Sequence, residues 1–358
     1  MVFNQLQNLF FHDLVFYYLY KMILVTGATG LVGSHLLLKL LQSELQVRAI
    51  YRNTKSIDKT KALFTASNAN DLFLNIDWVE ADLNDVTKLE IAFNNISHVY
   101  HCAALISFDP KDEIKLRKIN IEGTANIVNF CVEKNIKKLC FVSSIAALGQ
   151  LALHENQITE TTEWNPYKQN SDYAISKYGA EMEVWRGHQE GLKVIIINPG
   201  VIFGIGFFNE GSNVFFSKVK KGILFYTNGS TGFVGVKDVV EVLIALMNSE
   251  ISGERFIVIA ENRTYKSIFE TIAHFVKAKK PMYAATPFLT NLYWRFDWIK
   301  SFLFQQKRSF SKYNSISAHT TDLISNKKLV DAINYNFENM DTCIAEVATN
   351  FNQTHNTL

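Results

Sequence analysis

From Met22 onward the chain alternates short β-branched, apolar runs with stretches of helical length, and this rhythm restricts the folds open to it. The runs are MILVT (22–26), QVRAIY (46–51), DWVEA (77–81), HVYHCA (98–103), KLCFVSS (138–144) and KVIIINP (193–199), with segments such as Leu31–Gln42 and Glu113–Lys134 between them. Such alternation builds βαβ units. A parallel sheet covered by helices on both faces needs strands that are apolar throughout rather than at every second residue. A doubly wound α/β sheet is therefore expected over residues 22–200. Beyond Pro199 the rhythm loosens: 203–235 is rich in Gly, Phe and Asn, Val236–Asn248 returns to helix, Arg255–Ala260 reads as another strand, and 265–358 as mainly helical. No Pro-, Gly- or Ser-rich linker divides the halves. A smaller, mostly helical substrate-binding region over 201–358 is expected, interleaved with the first near 233–260.

The 36 basic and 34 acidic side chains leave a net charge of +2, which offers no electrostatic footprint for nucleic acid. Cys102, Cys131, Cys140 and Cys343 form no CxxC pair, and the first three sit in apolar runs, as expected of thiols in a reducing cytoplasm. The histidines, His12, His101 and His154 among them, form no HExxH-type spacing, so no metal site is expected. Leu9–Tyr20 is apolar and aromatic but interrupted by His12 and Asp13. At this length it falls short of the ~20 residues of a membrane span, and it lacks the basic front and cleavage site of a secretory signal. Residues 1–21 read as an extension outside the fold rather than a membrane-contacting segment, and no integral membrane span is expected.

The first strand runs into Thr26-Gly27-Ala28-Thr29-Gly30-Leu31-Val32-Gly33 and then into a helix. A dinucleotide's pyrophosphate must come close to backbone N–H groups at a helix N-terminus, so glycines are needed where a Cβ would collide or the turn requires unusual dihedrals. Gly27 and Gly30 serve the turn and the approach, Gly33 the packing of helix on strand, and Thr29, Leu31 and Val32 complete the loop. At the end of the second strand, where an acid would hold a ribose 2′-hydroxyl, stands Arg52. A guanidinium suits a 2′-phosphate, which favours NADP(H), with NAD(H) as the alternative. Asp82 and Leu83 follow the third strand and are placed to meet the adenine. Asp82 equally suits an N-cap for a helix starting near Asn84.

Tyr173 and Lys177 lie four apart in Asp172-Tyr173-Ala174-Ile175-Ser176-Lys177. On a helix they share a face, so the ammonium is expected beside the phenol, lowering a pKa that is ordinarily about 10. Ser143 and Ser144 end the fifth strand and put a hydroxyl within reach of the same substrate oxygen.

With these motifs the chain resembles the extended short-chain dehydrogenase/reductase superfamily: the NAD(P)-dependent epimerases and dehydratases, the dihydroflavonol-4-reductase-like enzymes and the 3β-hydroxysteroid dehydrogenases. The resemblance covers about Met22 to Ala260 through TGATGLVG (26–33), ADL (81–83), HCAA (101–104), INIEGT (119–124), VSSIAALG (142–149), YAISK (173–177), NPGVIFG (198–204) and FVGVKDVV (233–240). It implies a Rossmann-type fold and a small-molecule substrate. It also implies Tyr173 as proton donor and acceptor, Lys177 as its partner and a nicotinamide-ribose ligand, Ser144 (five before Gly149) as the substrate-orienting hydroxyl, and Asn120 as support for a water relay to the lysine. Ala103 and Ala104 are the small residues against the cofactor, and Pro199 and Gly200 line the nicotinamide. The superfamily often dimerises through two helices, here those in 112–134 and 172–191, so a homodimer is expected.

Two departures matter. Asn198 stands where sugar-nucleotide members often carry Arg, and the region after Gly204 lacks their diphosphate-binding bases. The loop Gly206–Ser212 and the aromatic run Tyr293–Trp298 are candidates to cover an apolar or alicyclic substrate instead, although such an aromatic stripe more often packs in a core, which is the favoured reading of the run. The expected activity is hydride transfer between nicotinamide and a secondary alcohol or ketone. A nucleotide-sugar epimerase or dehydratase that retains its cofactor is the alternative, and a non-catalytic dinucleotide-binding protein the third reading.

Overall fold

A computed structural model describes residues 22–151, 155–308 and 310–356. The readings made on residues 1–21 and on His154 fall outside the described residues.

Seven strands form the main sheet: β1 (Ile23–Thr26), β2 (Val47–Tyr51), β3 (Asp77–Glu80), β4 (His98–His101), β5 (Lys138–Val142), β6 (Val194–Pro199) and β10 (Glu254–Val258). Their order is β10-β6-β5-β4-β1-β2-β3, and every pairing is parallel. β5 and β6 are buried at each residue, as their unbroken apolar sequences require. Alternate side chains feed two cores. Val25, Tyr100, Cys140 and Ile195 meet helices α1 (Leu31–Gln42) and α7 (Val236–Asn248). Leu24, Val99, Leu139 and Ile196 meet α3 (Val86–Ala92), α4 (Gly123–Glu133) and α5 (Asp172–Gln189). Between β2 and β3 lies α2 (Thr54–Ala66). The strand order reverses between β1 and β4, which opens a crevice at their carboxyl ends. α4 continues a helical stretch whose preceding segment, Arg117–Glu122, is π-helical and holds Asn120. Such wide turns are often found at functional sites.

The second half returns to the first, since β10 and α7 both join the main sheet. The remainder builds a three-stranded sheet of β7 (Val201–Phe203), β9 (Ser230–Gly235) and β11 (Glu261–Thr264), and a two-residue pairing of β8 (Phe225–Tyr226) with β12 (Tyr283–Ala284). Helices α6 (Val214–Lys221), α8 (Tyr265–Phe275), α9 (Pro287–Phe304) and α10 (Met340–Asn356) complete it. Phe203, Phe216, Phe233 and Phe351 fill its core.

The aromatic run 293–298 departs from the core packing expected of such a stripe. In α9 the rings of Tyr293, Phe296 and Trp298 face outward, and the buried positions are Thr290, Asp297 and Ser301. Asp297 determines this orientation, because its carboxylate accepts from Phe310 N at 3.2 Å and pairs with Arg308 at 3.9 Å. The loop 206–212 reaches back to the cofactor half through an ion pair between Glu210 and Lys59 of α2.

Candidate active site

At the carboxyl end of β1 the turn brings backbone against backbone. Gly27 has φ +67°, and a Cβ there would lie 2.6 Å from Ala103 N; a Cβ on Gly33 would lie 2.2 Å from Gly27 O. Gly30 is the N-cap of α1 and carries no side-chain cap. A Cβ at Gly30 would only touch Gly27 O at 3.4 Å, so the fold itself tolerates one, and a glycine there serves close approach from outside. The cradle thus fits a dinucleotide pyrophosphate, with the first-turn N–H groups near Leu31 and Val32 as donors and Thr29 in the preceding turn.

A buried polar chain locks this end of β1 to β4. Thr26 Oγ1 lies 2.6 Å from His101 Nδ1 and accepts from Ala103 N at 3.2 Å, while His101 Nε2 lies 2.9 Å from Thr124 Oγ1. Burial, with the nearby Lys177, pushes His101 down to about 3. An imidazole kept neutral in the folded state and titrating at about 6.5 when unfolded stabilises the fold above that value, and the contribution is lost as pH falls through 6.5 towards 3. His101→Gln should therefore lose less thermal stability than the parent between about pH 7.5 and about pH 5. Equal losses in a melting series would contradict this.

Arg52 follows β2 directly, with its side chain 59% exposed and 3.8 Å from the Asp82 carboxylate. Asp82 is not the helix cap: its Oδ1 accepts from Asn84 N at 2.9 Å, and the cap of α3 is Asp85, three residues on, whose side chain accepts from Lys88 N. Leu83 is buried against Gly123 of α4, so its side chain belongs to the core rather than to an exposed adenine shelf.

Ser171 caps α5 by accepting from Ala174 N at 3.1 Å, which starts the helix just before Tyr173. Tyr173 sits beneath Phe108, ring centroids 5.8 Å apart and edge to face. Burial pushes its phenol up to about 12, and the Ser144 hydroxyl beside it acts in the opposite direction. Ser144 itself caps the short turn Ile145–Ala147 through Ala146 N at 3.1 Å, which fixes where its hydroxyl stands. Lys177 is 1% exposed. Its Nζ donates to Val142 O at 2.8 Å and lies 4.5 Å above the Phe141 ring. Burial lowers this ammonium to about 8, against the raising effect of Glu181.

The expected depression of the Tyr173 phenol by Lys177 is therefore not produced by the protein's own groups. The ammonium is directed to the end of β5, and desolvation dominates at the phenol. Asn120 is buried. Its Oδ1 accepts from Leu105 N at 2.7 Å, and its Nδ2 donates to Leu105 O at 3.0 Å and Ser176 Oγ at 2.9 Å, so it ties the loop after β4 to α5. Ala103 and Ala104 begin that loop. Pro199 ends β6, and Gly200 lets β6 approach β9, since a Cβ there would lie 2.3 Å from Gly232 O. Among the described residues no cluster of His, Cys, Asp or Glu could hold a metal ion.

The glycine cradle at the switch point of the sheet suits a dinucleotide, and comparison with known proteins gives the family. The profile of the NAD dependent epimerase/dehydratase family matches residues 23–260. The chain belongs to this family. It is 27% identical over 275 residues to sterol demethylase protein B of Methylococcus capsulatus, covering 74% of this chain and 77% of that protein. It is 29% identical over 251 residues to a putative dihydroflavonol 4-reductase of Synechocystis, covering 68% and 69%. Among solved structures it is similar to gox2253 (TM-score 0.77, 24% identity, 93% of this chain and 98% of that one). It is also similar to the UDP-glucose 4-epimerase of Thermotoga maritima solved with UDP-glucose (TM-score 0.73, 18% identity, 93% and 99%). The chain is accordingly an enzyme of the nicotinamide-dependent reductase, epimerase and dehydratase class, which sets the non-catalytic reading aside.

Residues that sequence reasoning missed lie behind this family's site. Asn198, read above only as a departure from sugar-nucleotide members, donates from Nδ2 to Ser144 O at 2.9 Å and to Glu181 Oε1 at 2.6 Å. Glu181 is fully buried and pairs with Arg255 at 3.3 Å, and the buried Ser143 sits beside it. Burial raises the Glu181 carboxyl, and its polar neighbours counter the rise. The signal was available: Glu181 follows Lys177 by four residues on the same helix face. Ser143 is buried beside this network with no hydrogen bond from its own hydroxyl among the described residues, whereas the Ser144 hydroxyl accepts from Ala146 N.

Proposed function

We propose that this enzyme is an NADP(H)-dependent reductase or dehydrogenase for a secondary alcohol and its ketone, with Ser144, Tyr173 and Lys177 as the reacting centre. The observation that carries the reading is the buried Lys177 one helical turn beyond Tyr173 on α5, its Nζ hydrogen-bonded to Val142 O at the end of β5, next to which Ala146 N fixes the Ser144 hydroxyl. When bound, the dinucleotide supplies or accepts the hydride. The protein's residues do the rest. Ser144 and Tyr173 hydrogen-bond the substrate oxygen, and Tyr173 exchanges the proton there as charge develops. Donors fixed in advance of the reaction are worth roughly 2.7–4 kcal/mol each at such an oxygen. Lys177, held by Val142 O, keeps a positive charge one helical turn from the phenol, and its proposed further role is to bind the nicotinamide ribose.

Asn198, committed to Glu181 and the Ser144 carbonyl, is no diphosphate ligand, which favours a ketone or alcohol over a nucleotide sugar. Purified enzyme offered ketone, aldehyde and nucleotide-sugar panels with both cofactors should oxidise NADPH with members of the first. Epimerisation of a nucleotide sugar with no net cofactor oxidation would overturn the reading.

Arg52 supports the phosphorylated cofactor. Arg52→Ala should weaken NADPH at least about tenfold more than NADH in a titration, as loss of a charge-assisted contact to a 2′-phosphate would. Equal weakening would remove the preference. We further propose a homodimer through the helical stretch ending in α4 and through α5, where Tyr178, Met182 and Trp185 line an open groove off the Tyr173 face. The four free thiols support a cytoplasmic location.

A further inference from the structure

We infer that helix α9 and the adjoining β8–β12 pair form a docking surface that seats the enzyme on an anionic lipid bilayer. α9 is amphipathic in the reverse sense. Its buried positions are Thr290, Asp297 and Ser301, while Phe288, Leu292, Phe296, Ile299, Phe302 and Leu303 are exposed. A helix on a water-facing surface turns its apolar stripe to the core and its polar stripe outward. Here the outward stripe requires an apolar medium, and it is far larger than scattered surface hydrophobes.

The surface continues beyond the helix. The Phe225 and Tyr283 rings lie 5.9 Å apart, and Leu224 O accepts from both Met282 N and Tyr283 N at 3.0 Å, which aligns two further exposed apolar side chains, Leu224 and Met282. Thr286 then caps α9, and Pro287 begins it, so the strand pair leads directly into the helix.

Charge decides between the occupants. Across 277–312 the one acidic side chain is Asp297, which is buried, whereas Lys277, Lys279, Lys280, Arg295, Lys300 and Lys312 are all exposed. In a chain whose net charge is only +2 this is a local concentration of positive charge. A second copy of the same face would bring these bases against their own kind. Residues 1–21, with Asp13 and Lys21 as their charged side chains, offer no counter-charge. Anionic headgroups do, and Trp298 and Tyr293 are the ring types that settle at headgroup depth beside Lys and Arg. The 18-residue helix, about 27 Å long at 1.5 Å per residue, lies along the surface. Among the described residues no helix is long and apolar enough to cross a membrane.

The face is tied to the catalytic site. Just past α9, Arg308 N donates to Asp109 Oδ2 at 3.0 Å and Lys307 pairs with Asp112 at 3.4 Å, on the loop that sets Phe108 against Tyr173.

The full chain should co-sediment with vesicles of phosphatidylcholine containing phosphatidylglycerol, less with phosphatidylcholine alone, and less again in high salt. Phe296→Glu combined with Phe302→Glu should lower partition onto the anionic vesicles at least about tenfold with an unchanged circular dichroism spectrum, since two large apolar side chains leave the bilayer boundary. Lys279→Glu with Lys280→Glu should reduce binding to the anionic vesicles alone. In the unmodified protein, brominated lipid should quench tryptophan emission. The inference is overturned if the unmodified chain binds neither vesicle, if the Phe variant binds as well as the parent, or if light scattering shows that the variant dissociates a dimer of a parent that binds no vesicle.

Discussion

Replacing Tyr173 by Phe should lower turnover by about a thousandfold or more, a loss of roughly 4 kcal/mol in transition-state stabilisation, and leave the dissociation constant for NADPH within about threefold of the parent. The split between the two readouts follows from the geometry. The substitution removes a single hydroxyl and keeps the ring that packs against Phe108. Lys177 is anchored on Val142 O rather than on the phenol, so the ammonium stays in place when the hydroxyl goes. A phenol held at about 12 by burial is protonated throughout the neutral range, so in the reducing direction it is a ready proton donor. Parallel stopped-flow turnover and cofactor titration measure the two quantities. Turnover within a few fold of the parent would remove Tyr173 from the mechanism, and joint loss of turnover and cofactor binding would mark it as structural.

A second large effect is expected behind the site. Glu181→Ala should destabilise the fold by about 3–5 kcal/mol in denaturant unfolding, because it leaves the buried Asn198 and the partly buried Arg255 without the carboxylate they share. Arg255 keeps its hydrogen bond from Nε to Glu160 O at 2.8 Å, so part of its donor capacity stays satisfied. Glu181→Gln retains an acceptor for Asn198 and should cost less than half as much. The same substitution acts on the site, since Glu181 helps to hold the Lys177 proton and its removal should shift the alkaline limb of the pH–rate profile to lower pH. An alanine variant as stable as the parent would show that Arg255 and Asn198 find other partners.

What could be read beforehand follows the length scale of the interaction. Strands β1, β5 and β6 were legible because a sheet buried on both faces leaves apolar runs, and the glycine spacing at 27, 30 and 33 was legible because backbone contact excludes Cβ at Gly27 and Gly33. The Tyr173–Lys177 pair was legible because four residues make one helical turn. Interactions between distant segments were not. Asn198, Glu181 and Arg255 meet only once β6, α5 and β10 have packed together, and the turn of the Lys177 ammonium towards Val142 depends on the end of β5. The orientation of α9 was misjudged for the same reason. Its aromatic residues suggested core packing first and a substrate cover second, yet the inward position belongs to Asp297, whose partners Phe310 N and Arg308 lie past the helix end.

The centre formed by Ser144, Tyr173 and Lys177 is most directly tested by following the label from NADPH carrying deuterium at the transferable position. With a ketone from the reactive panel, the account predicts that the alcohol product gains one deuterium per NADPH oxidised, and that Tyr173→Phe forms almost none of it while still binding the cofactor. Product that forms without the label, or at the parental rate in the Tyr173 variant, would contradict it.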